Sequence, residues 1–378
     1  MRVWLATGNM NAGGVESLIM EILRNRPEDI TIEMLIHTTG DDYSGMYDQE
    51  IKALGINILT LPSVGSVGIT DYTKQFVNLV SKTGCPDLIH IHLNAVSGVI
   101  ARAAKIAGVP IRIIHCHANI KYRGSKLYVI RQEILLFLMK FFVNKYGTHY
   151  WACSEPAAKR LFNKTKQYSI IPNVIDVPKY LSSAKKRLEE RKRLGVDDSV
   201  YVIGAVGRIA PIKNYEVIIR AIAELNRADT HFYIYGREQN SEYVEQLREL
   251  GKYLQVDDRI HYLGNSDRVS DVIAAFDLYV MPSISEGLGI SAVEAQAAGL
   301  PTFLSLGVPD EAVVIPQLVR KLPFDSPTDW ACSIAKKERM NVSNESIMQA
   351  FQEKHFDSKT GCAEIYKLYE QYQRQHKK

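Results

Sequence analysis

Paired thiols, a dinucleotide-type glycine fingerprint and long apolar runs are all missing from this chain. Its five cysteines, in 378 residues, stand at 85, 116, 153, 332 and 362, with no C-x-x-C pair among them. An odd, scattered set excludes a disulfide framework and a zinc site of the usual spacing, and fits reduced thiols in a cytosol. The longest apolar run, Ile134 to Val143, is interrupted by Lys140 and is too short to cross a bilayer core of about 30 Å as a helix. The opening MRVWLATGN reads as a buried strand entering a loop, which leaves no place for a cationic, apolar signal peptide. A cytoplasmic protein is the expectation. Large excess charge is lacking too: the formal net charge is +4, and no nucleic-acid partner is expected. No repeat of about 20 to 50 residues and no low-complexity tract occurs.

What is present is ordinary globular material, 46% hydrophobic and 23% charged, enough for two domains of about 150 to 200 residues each. Short β-branched runs alternate with helical periods, the pattern of parallel α/β layers. The expected strands are 3–6, 32–36, 57–61, 88–92, 111–115 and 149–153 in the first half, then 200–206, 232–235, 260–262, 278–281 and 302–304. Two Rossmann-like layers in series is the economical reading. The charged connector SSAKKRLEERKRLG, preceded by IPNVIDVPKY, puts the boundary near Val174 to Lys179.

Ligands of such sheets bind beyond the carboxyl ends of the strands. The first loop there, TGNMNAGGVE, does not fit G-x-G-x-x-G, so an NAD site is weakly supported; a glycine pair at a helix start remains, suited to an anion or to a plain turn. The second is GRIAPIKN, Gly207 to Asn214. Lys213 falls at the start of a helix, where the dipole disfavours a cation unless an anion offsets it. Arg208 adds a planar fork, and the pair suits one diphosphate, although both also fit a solvated surface. The third is EGLGISAVE, Glu286 to Glu294, which breaks at its glycines: Glu286 lies in a loop and Glu294 in the first turns of a helix. Gly287 and Gly289 admit a ligand close to the backbone, and the amides from Leu288 to Ser291 are free for phosphate or sugar oxygens. A carboxylate beside such a site points to hydroxyls next to a phosphate, as in a nucleotide sugar. The alternative is a capping box, Ser291 to Glu294, in which Glu294 closes its own helix.

GGVE, HCHAN, ACSEPAAKRLF, IPNVID, GRIAPIKN and EGLGISAVEAQAAGLP occur in the order and spacing of the retaining glycosyltransferases of family four, and the chain resembles the members that build bacterial capsular and exopolysaccharides. The likeness covers nearly the whole chain. It implies the GT-B architecture: an α/β chain with two Rossmann-like domains facing across a cleft and a C-terminal helix packing back on the first domain. The implied domains are 1–175 for the acceptor, 176–355 for the donor and 356–378 for the returning helix. The resemblance further implies that Arg208 and Lys213 hold the donor diphosphate, with Gly287, Leu288 and Gly289 on phosphate and sugar. It puts Glu294 on the ribose, Glu286 on the transferred sugar, and Gly14 opposite the diphosphate from the other domain. His117 of HCHAN best matches the active-site histidine, and His115 reads as a packed strand residue. Two alternate histidines can suggest a metal, but no third ligand is evident and the family needs none, so neither metal nor cofactor is expected.

The resemblance implies front-face substitution with retention, moving a hexose or N-acetylhexosamine from a UDP-sugar to a lipid-linked or polysaccharide acceptor. A nucleotide-sugar epimerase of the same fold, or a non-catalytic binding partner of another transferase, is the alternative. Two positions depart from the family's pattern: GREQN replaces the G-x-G of many relatives, and Val174 stands where glycine is common. The segment 112–147 carries seven cations against the single acid Glu133. It is assigned to the acceptor side, with Asn119, Lys121 and Arg123 as acceptor-binding residues, and fits either a lipid carrier at the anionic inner face of the plasma membrane or a helix with a solvated cationic face. The stripe Ile365, Leu368, Tyr369 and Tyr372 is expected to pack onto the first domain.

Overall fold

A computed structural model describes residues 1–11, 13–38, 44–119, 121–122, 125–266, 268–337 and 341–377. The chain divides into two units, Met1–Ile175 with Ser358–Lys378, and Asp176–Asp357.

In the first unit, β1 (Arg2–Thr7), β2 (Thr31–Thr38), β3 (Asn57–Pro62), β4 (Leu88–Ile91), β5 (Ile111–Cys116), β6 (His149–Ala152) and β7 (Ser169–Ile170) form one parallel sheet in the order β3-β2-β1-β4-β5-β6-β7. Its central strands are buried at nearly every position, which is why they read as largely apolar runs. In the second unit, β8 (Tyr201–Val206), β9 (Thr230–Tyr235), β10 (Ile260–Tyr262), β11 (Leu278–Met281), β12 (Thr302–Ser305) and β13 (Val319–Leu322) follow the order β10-β9-β8-β11-β12-β13. Each sheet reverses strand order once, between β1 and β4 and between β8 and β11. Those switch points open crevices at the strand ends.

Eleven of these strands match the runs expected from sequence, while β7 and β13 do not appear there. The first is two residues long, and the second, VRKL, is an edge strand with charged residues at its centre and only one buried position. Neither produces an apolar run.

The C-terminal helix Ser358–Lys377 belongs to the first unit and completes its core. Cys362, Ile365, Tyr366, Tyr369 and Tyr372 pack with Leu18, Ile22, Ile113 and Trp151, and Leu368 lies partly buried beside them. The Tyr369 ring stacks on Trp151 with centroids 5.8 Å apart, and the Trp151 indole donates to the Tyr372 hydroxyl at 3.0 Å.

Candidate functional site

The second unit's switch point is built from the loops that leave β8, β11 and β12. After β8 the chain makes a tight turn, Pro211–Lys213, and enters the helix Tyr215–Leu225 through Asn214, whose backbone is left-handed at φ 58°. The buried Asn214 side chain holds that turn by donating to the carbonyls of Pro282 at 3.1 Å and Phe324 at 2.6 Å. The Ile284 amide donates to the Ile212 carbonyl at 2.9 Å, and the Glu286 amide to Gly307 at 3.2 Å. Three loops are thus stitched into one rim.

On this rim Lys213 and Glu286 form an ion pair of 2.7 Å, each side chain only 14% exposed. The two loops therefore meet, although the charge that sequence reading reserved for an anion is already met by a carboxylate. Arg208 lies at the other end of the Gly207–Asn214 stretch, exposed, and makes no hydrogen bond or ion pair with any described residue.

Past Glu286 the chain enters the helix Ile290–Ala297 through Gly289 at φ 90°, ψ 57°. A side chain there meets both a strained backbone and the Met281 sulfur, 2.8 Å from an added Cβ. No described residue accepts from the amides of Leu288 or Gly289. The helix start is anchored to β8: Tyr279 donates to the Ser291 hydroxyl at 2.7 Å, which donates to the Val206 carbonyl at 2.8 Å. The capping box offered as an alternative is not formed, since the cap residue is Gly289 and no side chain caps the helix. Glu294 instead accepts from the Tyr180 hydroxyl at 2.8 Å. Burial pushes its carboxyl up to about 7, and the Tyr180 hydrogen bond opposes that shift.

In the first unit, the helix Gly14–Arg24 starts beyond β1 with Gly13 as its cap and no side-chain cap bond. Gly14 is its first residue, and the Glu16 carboxylate folds against Gly13. Beyond β5, His117 is buried. Its Nδ1 contacts the Asn173 Oδ1 at 3.2 Å, its Nε2 contacts His92 Nδ1 at 2.9 Å, and its amide donates to Asn94 at 3.0 Å. Both ring nitrogens are therefore engaged inside the protein. Burial lowers its pKa to about 4, so the ring is neutral at ordinary pH. Asn119 is half-buried and Lys121 exposed; Arg123 lies outside the described residues.

Sequence reading missed His90 and His92. The H-x-H at the end of β4 faces the H-x-H of β5, and the four imidazoles form a buried ladder. His90 Nε2 contacts His115 Nδ1 at 3.1 Å, and His90 Nδ1 contacts the Tyr369 hydroxyl at 2.6 Å. One nitrogen from each of His90, His92 and His115 lies within 4.8 Å of the others. The third histidine absent from the sequence reading is thus supplied by the neighbouring strand, and its signal was the second H-x-H, at 90–92. Burial holds all three rings well below the usual imidazole pKa.

Two Rossmann-like units, each with one reversal of strand order, give this chain the GT-B fold, and its second unit holds a charged and amide-lined switch point. Residues 186–350 match the family model described as glycosyl transferases group 1, so the second unit carries that domain. Among curated relatives, the putative glycosyltransferase EpsF of Bacillus subtilis is 28% identical over 340 residues, covering 89% of this chain and 87% of its own. The UDP-Gal:alpha-D-GlcNAc-diphosphoundecaprenol alpha-1,3-galactosyltransferase of Escherichia coli is 27% identical over 295 residues, covering 75% and 73%. Among solved structures, Anabaena Alr3699/HepE in complex with UDP and glucose superposes with a TM-score of 0.80 at 19% identity, covering 98% of this chain and 100% of that one.

Proposed function

We propose that this glycosyltransferase moves a hexose or N-acetylhexosamine from a UDP-sugar, with retention of configuration, to a lipid-linked or polysaccharide acceptor during assembly of a surface polysaccharide. The observation that carries the reading is the Lys213–Glu286 pair at the second unit's switch point, beside a buried carboxyl and two amides with no partner among the described residues. A lysine, an arginine with no partner among the described residues and two open amides suit a diphosphate. Glu286 and Glu294 suit hydroxyls, of the sugar and the ribose respectively. Similarity to EpsF supports a glycosyltransferase, and similarity to a UDP-galactose enzyme acting on a diphosphoundecaprenol acceptor supports the same substrate classes.

Cleavage of the C1–phosphate bond builds negative charge on the departing diphosphate and positive character on the sugar ring. Lys213, Arg208 and the Leu288 and Gly289 amides stabilise the leaving group, each fixed donor being worth about 3 to 4 kcal/mol at an oxyanion site. Lys213 reaches the phosphate by exchanging Glu286 for it, which releases Glu286 to the sugar. These fixed charges do the work of a metal in this step, and the acceptor hydroxyl attacks from the leaving-group face with its proton passing to the diphosphate. His117, neutral and held at both nitrogens, serves as a wall and a hydrogen-bonding group rather than as a base.

The acceptor is proposed to be met at a membrane. The helix Lys126–Tyr146 buries only Leu136, Val143 and Asn144. It exposes Leu127, Tyr128, Ile130, Ile134, Leu135, Phe137, Leu138 and Phe141, with Leu127 at 78% and Phe137 at 74%. These eight span roughly half of the helix circumference at 100° per residue. An exposed apolar face with Lys126 at its border and Arg131 and Lys145 set within it supports a helix lying at the interface of an anionic bilayer over one with a purely solvated cationic face. Among the described residues, no helix is long and apolar enough to cross one.

Calorimetric titration with UDP and then with UDP-, GDP- and ADP-sugars tests the donor site, beside Lys213→Ala. The expected result is binding of UDP and of one UDP-sugar, lost in the variant. Absence of binding by every nucleotide overturns the reading.

A further inference from the structure

We propose that His90, His92 and His115 take up one borderline transition-metal ion of the zinc class. The site is independent of the donor reading, because all three ligands lie in the first unit. Alternation along β4 puts His90 and His92 on one face of the sheet, and the strand beside it, β5, brings His115 alongside. One nitrogen of each ring lies within 4.8 Å of the other two. Ligands about 2.0 to 2.1 Å from a tetrahedral zinc stand roughly 3.3 Å apart, so the rings close on an ion by small rotations.

Proton counting shows which nitrogens are available. The Asn173 Oδ1 accepts from His117 Nδ1, so the His117 Nε2 lone pair accepts from His92 Nδ1. Among the described residues, His92 Nε2 is left as a bare lone pair, fully buried and with no partner. A buried polar atom left unsatisfied costs about 1 to 3 kcal/mol, which an ion offsets. His90 joins through Nε2 by releasing the His115 ring while keeping its Nδ1 on the Tyr369 hydroxyl. A ligating histidine anchored through its other nitrogen is the arrangement metal sites use. Among the described residues, no carboxylate bonds to the four rings. Neutral imidazoles without oxygen ligands favour zinc, cobalt or copper over magnesium or calcium. The ion ties the ends of β4 and β5 to Tyr369 on the C-terminal helix.

The test uses the full chain, stripped with a chelator and titrated with Co2+, Zn2+ and Mg2+. The expected result is one equivalent of Co2+ with the intense visible bands of a four-coordinate site, displacement by Zn2+, no response to Mg2+, and a melting temperature raised by about 5 °C or more in Zn2+. His92→Gln and His115→Gln each abolish the bands. His261→Gln retains them, which separates this site from the His231–His261 pair in the other unit, where Nδ1 and Nε2 are 3.0 Å apart. No bands in the parent chain, or bands that survive in both cluster variants, overturn the proposal. Should the variants fail to fold, X-ray absorption of the Co2+-loaded parent decides, and fewer than three imidazole ligands overturns it.

Discussion

Glu294 and the histidine ladder pull stability in opposite directions as pH changes. Folding raises the Glu294 pKa from its ordinary 4.5 to about 7, so across that window the folded chain holds the proton more tightly than the unfolded one. The stability contributed by the protonated carboxyl is lost as pH rises through about 7, and amounts to about 3 kcal/mol. The buried histidines act oppositely: His117 falls to about 4, so its neutral form contributes stability that is present above the ordinary imidazole pKa of 6.5 and lost as pH falls through about 4. Comparison of Glu294→Gln with the parent isolates the carboxyl. Its melting temperature is expected to exceed the parent's by several degrees at pH 8 and to match it near pH 5; equal curves refute the assignment. A second expectation concerns Glu286. Removing its charge frees Lys213, so Glu286→Gln binds UDP about tenfold more tightly in calorimetry while its turnover with sugar donor falls. A weaker UDP complex counts against competition for Lys213.

At the scale of elements, Gly289 and the exposed helix carry separate predictions. Gly289→Ala puts a Cβ on a left-handed residue and against Met281, at a cost of about 1 to 3 kcal/mol, and tilts the amides of the loop. Thermal unfolding is expected to come several degrees earlier, and donor binding to weaken, with the far-ultraviolet spectrum unchanged. On the helix Lys126–Tyr146, Phe137→Glu is expected to release the protein from anionic vesicles in a flotation assay while UDP binding stays at the parent value. Retained flotation removes the membrane reading.

The same elements show what could be read in sequence. Buried parallel strands such as β1 and β5 were legible because both faces are covered and apolar residues dominate the run. A two-residue β7 and a charged edge β13 carry no such signal. Glu286 and Lys213 are separated by 73 positions, and their meeting depends on β8 and β11 being neighbours, which order along the chain does not state. His90 and His92 read as strand residues until β4 and β5 are paired. Ser291 and Glu294 matched a local rule that lost to tertiary partners, Val206 for the serine and Tyr180 for the glutamate.

For the whole molecule, the first unit depends on residues from both ends of the chain. Deleting 358–378 strips Trp151 and His90 of Tyr369, and the core of Ile365 and Tyr366. A chain ending at Asp357 is expected to lose the cooperative unfolding of the first unit while the second still melts as a unit and still binds UDP; two intact calorimetric transitions refute this. That division of the chain also orders events on the ribosome. Residues 176–357 emerge complete and free to fold while the first unit still lacks its last helix. The sheet that is translated first is therefore finished second, and until then its apolar face stands open to chaperones.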